Sequence, residues 1–234
     1  MRNQSFVAAS TRARIRGWAV PIALAMGRVG LTPNGLTIIG FLGTCAAAVA
    51  AGLQSWVAAG VLVIAFGIFD LFDGALARAT GRASKFGAFL DSTLDRTGES
   101  IVLAGVAVGF AAAGIVEGVA LATFAAGFAS SVTYTRAKAE ALGLQGEVGV
   151  APRPERLVIL TAGLILGGLF GVESVHTILA SGPGGSQVGP GSPSGGAVVL
   201  LVALGLIAIL SAITVVQRIL HVRRQLDAQQ QESK

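Results

Sequence analysis

Hydrophobic residues are concentrated in six long stretches of the chain, and most charged residues lie between these stretches or at their ends. The stretches cover approximately residues 32–53, 56–77, 86–112, 116–141, 157–172 and 196–217. A helix needs about 20 apolar residues to cross a lipid bilayer, and all but the fifth stretch approach or exceed that length. We therefore predict an all-α integral membrane protein with six transmembrane helices, the fifth of them extended by its neighbours.

The overall composition agrees with this prediction. Only 12% of the residues are charged, the hydrophobic fraction is 53% and the mean hydropathy is +0.74, whereas a soluble domain carries about 25% charged residues. Before the first stretch, residues 5–30 mix arginines with Ile, Trp, Leu and Met, which predicts an N-terminal amphipathic helix in the membrane interface. A disordered basic arm is the alternative. The predicted parts are a juxtamembrane segment (1–30), a six-helix membrane domain (31–222) and a polar cytosolic tail (223–234).

The basic residues are distributed unevenly over the predicted connections. All 17 Lys and Arg residues lie in the N-terminal segment, around the second and fourth connections, or at the C-terminal end. Because Lys and Arg are enriched in cytoplasmic loops, both termini and these two connections are predicted to face the cytoplasm of a plasma-membrane protein. The net charge of +5 follows from this orientation and from contact with anionic lipids, so a nucleic-acid partner is not needed to explain it.

Four of the five aspartates in the chain lie between residues 70 and 95. Asp70 and Asp73 are three residues apart and Asp91 and Asp95 are four apart, so each pair lies on one face of a helix. A carboxylate inside a bilayer costs roughly 2.5–3.5 kcal/mol, and four together repel one another, so a bound cation is expected. Carboxylate oxygens suit Mg²⁺ or Mn²⁺, and four carboxylates could hold two such ions, which would clamp a pyrophosphate group.

Other residues of the same segment suit a phosphate ligand. Gly74 leaves room for a ligand to approach the helix closely, and the side chains of Arg78 and Lys85 can bind phosphate oxygens. The alternative is a solvated network in which the aspartates pair with Arg78, Arg82 and Lys85 and bind no metal.

The motif D-x2-D-G-x2-A-R-x8-G-x3-D-x3-D, complete from Asp70 to Asp95, resembles the signature of the CDP-alcohol phosphotransferases. Members of this family have six transmembrane helices, usually form homodimers, and transfer a substituted phosphate from a CDP-linked donor to an alcohol with release of CMP. The resemblance implies that the four aspartates bind two divalent ions, Mg²⁺ or alternatively Mn²⁺, and that Asp95 is the general base. It also implies a CDP-lipid site formed by Asn34, Gly35, Leu36, Thr37, Gly74, Arg78 and Ser84. We include Lys85 in this site because its ammonium group can bind phosphate oxygens.

A second group of basic residues lies at the same predicted cytoplasmic face. Arg136 and Lys138 end the fourth stretch, Arg153 and Arg156 precede the fifth, and Arg218 ends the sixth. If these side chains converge, they can bind a phosphate dianion; ordinary positive-inside flanking is the alternative. Within the family, the sequence is most similar to actinobacterial members that use an inositol phosphate as acceptor and CDP-diacylglycerol as donor. That resemblance implies that Arg136, Lys138, Arg156 and Arg218 bind the acceptor phosphate, whereas Arg153 is expected at the surface.

Two other functions stay open on the sequence alone. Glycerol 3-phosphate is also a phosphorylated acceptor, so phosphatidylglycerol phosphate synthesis is an alternative within the family. A divalent-cation or proton-coupled transporter would also carry carboxylates inside the membrane, but a transporter should have them near the midplane and on more than one pair of helices.

Overall fold

The computed structural model describes residues 9–172 and 194–232, and this part of the chain is helical apart from short connections. The helices are α1 (Ala9–Arg28), α2 (Pro33–Gly52), α3 (Trp56–Gly67), α4 (Phe69–Ala79), α5 (Lys85–Ala112), α6 (Val116–Ala141), α7 (Arg153–Leu169) and α8 (Gly195–Glu232). The described residues contain no strand. The all-α prediction is therefore confirmed for them.

Two of the helices begin at side-chain caps. The backbone N–H of Gly35 donates a hydrogen bond to the hydroxyl of Thr32 at 3.1 Å, and Pro33 occupies the first position of α2. Ser84 accepts from the backbone N–H of Gly87 at 2.9 Å in the same way at the start of α5. Such caps satisfy backbone donors that have no partner within the helix, so they determine where α2 and α5 begin.

The second apolar stretch forms two helices rather than one. Helix α3 ends at Gly67, Ile68 forms the link, and α4 begins at Phe69. The break comes just before Asp70, so the first aspartate pair lies on a helix of its own.

Four helical segments of the described part of the chain are long and apolar enough to cross a membrane. They are Pro33–Gly52, Trp56–Ala79, Val116–Ala141 and Gly195–Gln231. Helix α5 is long but carries several charged residues in its first half, and α7 has only 17 residues. The protein is thus a helical membrane protein, while six spans and an interfacial α1 stay predictions.

The long helices pack side by side in a closed ring. Around the ring, α2 contacts α5, α5 contacts α6, α6 contacts α8, α8 contacts α7, α7 contacts α3, and α3 contacts α2 again. Helix α4 packs against α2 and α1 at the end of the ring where α2, α5 and α7 begin. The starts of these three helices and the ends of α6 and α8 therefore share one end of the bundle.

Most of the interior of the ring is apolar. Trp56 and Phe110 pack with their ring centroids 5.4 Å apart, within a buried cluster that includes Leu103, Leu160 and Leu204. A smaller buried cluster joins α1, α2 and α4 through Ala23, Leu36 and Leu76.

The polar C-terminal segment continues α8 as a helix to Glu232. Its Gln225 side chain donates to the backbone carbonyl of Gln145 at 2.8 Å and accepts from the N–H of the same residue at 3.0 Å. These two hydrogen bonds tie the end of α8 to the connection between α6 and α7. The division at residues 30 and 222 stays a prediction, and residues 1–8, 173–193 and 233–234 lie outside the described part.

Candidate active site

Three of the predicted aspartates come together at the end of the ring. Asp70 projects from α4, and Asp91 and Asp95 project from successive turns of α5. One carboxylate oxygen from each lies within 4.8 Å of the others. Two charges at that distance repel by about 3.5 kcal/mol at an effective dielectric constant of 20. The cluster therefore needs a cation nearby to be stable in its ionised form.

The fourth aspartate, Asp73, is not one of these three grouped carboxylates but lines a cavity together with Asp91. Its carboxylate is buried and accepts a hydrogen bond of 2.6 Å from the hydroxyl of Thr37 on α2. Thr37 was predicted as a donor-site residue, and its contact with Asp73 links that prediction to the acidic segment. The structure thus brings together three of the four aspartates and orients the fourth separately.

The cation beside the cluster is Arg153, the first residue of α7. Its guanidinium forms an ion pair with Asp95 and lies 3.6 Å from an oxygen of Asp70. The expectation that Arg153 lies at the surface is wrong, because its side chain is only 29% exposed and pairs with carboxylates of α4 and α5. Arg153 is the site residue that the sequence reasoning missed most clearly.

A cavity of about 470 Å³ opens next to the carboxylates. It is lined from one side by Asp91 and Asp95 of α5 and from the others by Arg136, Arg156 and Arg218 of α6, α7 and α8. Three of the four basic residues predicted for the acceptor therefore meet in one cavity. Lys138 is exposed and is not among the lining residues.

The three arginines differ in their partners. Arg156 is 1% exposed and forms two hydrogen bonds of 2.7 Å with the carboxylate of Glu99. Arg218 donates to the backbone carbonyls of Val148, at 2.8 Å, and Val132.

Arg136 is the most accessible of the three and pairs with two glutamates at the surface. Its guanidinium lies 2.8 Å from Glu140 and 3.2 Å from Glu147, and 39% of its side chain is exposed. Arg136 is thus the arginine that can most readily exchange a protein partner for a ligand.

Glu99 and Glu147 were not singled out from the sequence. A signal for Glu99 was available, because Asp91, Asp95 and Glu99 follow one another at intervals of four along one helical face. No comparable signal marked Glu147, which lies in the connection between α6 and α7.

A second cavity, of about 220 Å³, lies on the other side of Asp91. Its lining includes five residues predicted for the CDP-lipid site, namely Asn34, Thr37, Gly74, Arg78 and Ser84. The N-terminal turns of α2 and α5 both border it, so the partial positive charges of two helix N-termini face the same space.

The other three residues predicted for the CDP-lipid site do not line this cavity. Leu36 is fully buried in the small apolar cluster, Gly35 belongs to the cap of α2, and Lys85 is exposed. Leu36 packs against α1 and α4, on a different face of α2 from Asn34 and Thr37.

The carboxylate cluster fits a hard divalent cation. Its donors are oxygens alone, contributed by Asp70, Asp91 and Asp95, and such sets suit Mg²⁺, Mn²⁺ or Ca²⁺ rather than zinc. Carboxylates that suit a divalent cation therefore lie next to two cavities bordered by arginines and helix N-termini, which are groups that bind phosphate.

The sequence assigns the family. A sequence model of the CDP-alcohol phosphatidyltransferases matches residues 30–184. The chain belongs to the CDP-alcohol phosphatidyltransferase family. The resemblance seen in the aspartate motif is thereby confirmed.

Relatives with established names are similar over nearly the whole chain. The phosphatidylinositol phosphate synthase of Cutibacterium acnes is 38% identical over 89% of this chain and 95% of its own length. The crystal structure of Mycobacterium tuberculosis phosphatidylinositol phosphate synthase with CDP-DAG bound superposes with a TM-score of 0.70 at 31% identity, covering 87% of this chain and 92% of that one. The structure of the same enzyme in complex with manganese and citrate gives a TM-score of 0.69 at 31% identity, covering 87% and 88%.

Proposed function

We propose that the protein is a phosphatidylinositol phosphate synthase. It transfers the phosphatidyl group of CDP-diacylglycerol to a hydroxyl of 1D-myo-inositol 3-phosphate (L-myo-inositol 1-phosphate) and releases CMP. The observation that carries the proposal is the cavity of about 470 Å³, in which Asp91 and Asp95 face Arg136, Arg156 and Arg218. A phosphorylated acceptor needs cationic groups to bind its phosphate and a reacting centre on the other side of its hydroxyl. The arginines of this cavity supply the first and the aspartates the second. The named relatives support the same acceptor.

The proposed metal ligands are Asp70, Asp91 and Asp95, with Asp73 completing a site for two Mg²⁺ ions. The clustered oxygens and the manganese complex of the mycobacterial relative support this assignment. When bound, the ions neutralise charge on the diphosphate and on the departing CMP. Thr37 holds the carboxylate of Asp73 in one orientation, as partners of metal ligands commonly do.

The proposed CDP-lipid site is the cavity of about 220 Å³ beside Asp91. Backbone N–H groups at the starts of α2 and α5 face the diphosphate, and Arg78 contributes a charge-assisted contact. Gly74 supports this use, because a Cβ at this position would lie only 3.2 Å from the guanidinium of Arg78. The missing side chain therefore leaves Arg78 its place beside the cavity. The CDP-DAG complex of the mycobacterial relative supports the donor.

The proposed acceptor site is the larger cavity, with Arg136 and Arg218 on the phosphate. Arg156 also lines this cavity and adds positive charge, and its ion pair with Glu99 fixes the position of its guanidinium. Lys138 does not line the cavity, so its role in acceptor binding is limited to long-range electrostatic attraction of the acceptor.

In the proposed reaction, Asp95 takes the proton from the attacking hydroxyl of the acceptor. The oxygen of that hydroxyl forms a new bond to the phosphorus next to the diacylglycerol, and the bond from this phosphorus to CMP breaks. Asp95 lines the proposed acceptor cavity one helical turn from Asp91, and Asp91 lines both substrate cavities. A base at Asp95 is therefore next to the point where the two cavities meet and can accept a proton from an acceptor hydroxyl.

For the chain as a whole we propose six spans, an interfacial α1, a membrane domain over 31–222 and a cytosolic tail from 223. Both termini and the active site face the cytoplasm of the plasma membrane, and the protein is a homodimer. The position of all 17 Lys and Arg residues supports the orientation.

A CMP-release assay with CDP-diacylglycerol tests the proposal. Asp95→Asn is expected to abolish CMP release, and EDTA is expected to inactivate the wild type until Mg²⁺ or Mn²⁺ is restored. Asp227→Asn is the matched control, because Asp227 is exposed on α8 and lies 3.9 Å from Arg223, far from the cluster. Normal CMP release by Asp95→Asn, or activity in EDTA, would contradict the proposal.

A further inference from the structure

Arg153 occupies the position in which a bound cation is also expected. Its guanidinium is paired with Asp95 and lies 3.6 Å from Asp70. Both carboxylates belong to the three-oxygen cluster that fits a divalent ion. A carboxylate oxygen that accepts a hydrogen bond from a guanidinium is a poorer ligand for a metal, so the two cations compete for the same carboxylates.

The present contacts of Arg153 leave part of its hydrogen-bonding capacity unused. Its Nε atom is buried and has no hydrogen-bond partner in the described structure. A guanidinium has five N–H donors, and leaving a buried donor unpaired is unfavourable. This position is therefore not the best one that the side chain can reach once a better acceptor is present.

Arg153 also lines the two spaces between which it would move. One is a small cavity of about 30 Å³ beside Asp70 and Asp95, and the other is the proposed acceptor cavity of about 470 Å³. The larger cavity is also lined by Arg136, Arg156 and Arg218, the residues proposed for the acceptor phosphate. A short rotation of the long side chain exchanges the carboxylates for that phosphate.

We propose that Arg153 is an exchangeable counter-ion that couples metal binding to acceptor binding. Without metal it neutralises Asp70 and Asp95; when the metal binds, the guanidinium turns to the acceptor phosphate. This inference rests on the proposed function. It follows that metal and acceptor each strengthen the binding of the other, because coupling between two ligands is reciprocal.

Mn²⁺ binding to the purified full-length protein, measured by electron paramagnetic resonance, tests the inference without turnover. In the absence of CDP-lipid and acceptor, Arg153→Gln is expected to bind Mn²⁺ about fivefold more tightly than the wild type, because no ion pair must break first. L-myo-inositol 1-phosphate should tighten Mn²⁺ binding by the wild type and should not do so for Arg153→Gln. Arg153→Lys should retain part of this coupling.

Arg96→Gln is the matched control for removal of one positive charge. Arg96 lies at the edge of the same cavity, but its guanidinium donates to the carbonyl of Ser92 at 2.5 Å. Equal Mn²⁺ affinity in the wild type and Arg153→Gln, or unchanged coupling in that variant, would overturn the inference while leaving the proposed function intact. A wild type that binds no Mn²⁺ would contradict both.

Discussion

Arg156 and Glu99 form a bidentate ion pair inside the helical ring, with both hydrogen bonds at 2.7 Å and both side chains buried. The guanidinium also donates to the carbonyl of Ala151 at 2.9 Å. The pair joins α5 to α7 next to the acidic cluster, so it fixes the first turn of α7, which carries Arg153, relative to α5.

Breaking this pair should destabilise the protein. Arg156→Ala or Glu99→Ala leaves one buried charge without its partner, which costs about 3–5 kcal/mol. Thermal unfolding in detergent is expected to show a large decrease in melting temperature for each single variant. The double variant Arg156→Met with Glu99→Leu should recover most of the loss, since it leaves no buried charge. A double variant as unstable as the single ones would contradict a paired structural role.

The hydroxyl of Thr37 should matter for activity through Asp73. Thr37→Val keeps the shape of the side chain and removes the hydrogen bond of 2.6 Å, so the carboxylate loses its fixed orientation. Loss of such a partner typically reduces metal affinity or activity by about 10–100-fold. CMP release at saturating CDP-diacylglycerol measures the effect. Thr37→Ser retains the hydroxyl and should stay close to the wild type, and equal loss in both variants would refute the explanation.

Removal of the Arg136 side chain should raise the KM for the acceptor more than removal of the Lys138 side chain. Arg136 lines the large cavity, whereas Lys138 is exposed outside it. Arg136→Ala should raise the KM for inositol phosphate about 10-fold or more, because a charge-assisted contact is lost. Lys138→Ala should raise it only slightly. Steady-state kinetics at varied acceptor concentration measure the KM of each variant. A larger increase in KM for Lys138→Ala than for Arg136→Ala would show that the acceptor binds elsewhere.

Close packing between α2 and α5 should depend on Gly105. A methyl group there would collide with the backbone of Ala48, so Gly105→Ala must separate the two helices. We expect destabilisation of about 1–3 kcal/mol in a thermal unfolding experiment. Gly205→Ala is the control, since the corresponding methyl group on α8 meets no atom within 4 Å. Similar stability of the two variants would argue against a packing role for Gly105.

Much of the fold could be predicted because the bilayer imposes a strong and local signal. The apolar stretches correspond to α2, to α3 with α4, and to α5 through α8. The break at Ile68 could not be predicted, because no Pro or Gly pair marks it and the residues on both sides are apolar.

The candidate site was only partly predictable because ion pairing depends on distant elements. The aspartate spacing indicated which carboxylates share a helical face, and three of them do meet. Arg153 and Asp95 are 58 residues apart, and Arg156 and Glu99 are 57 apart. No local sequence pattern predicts that Arg153 pairs with Asp95 and that Arg156 pairs with Glu99. These pairings depend on how α7 packs against α3 in the folded protein.

The lipid product formed from CDP-diacylglycerol in the presence of each candidate acceptor tests the central claim most directly. Mass spectrometry of the extracted lipid should detect phosphatidylinositol phosphate when inositol phosphate is supplied, together with an equal amount of CMP. Free inositol and glycerol 3-phosphate should give little product. A product that forms readily from glycerol 3-phosphate but not from inositol phosphate, or no lipid product from any acceptor, would contradict the account.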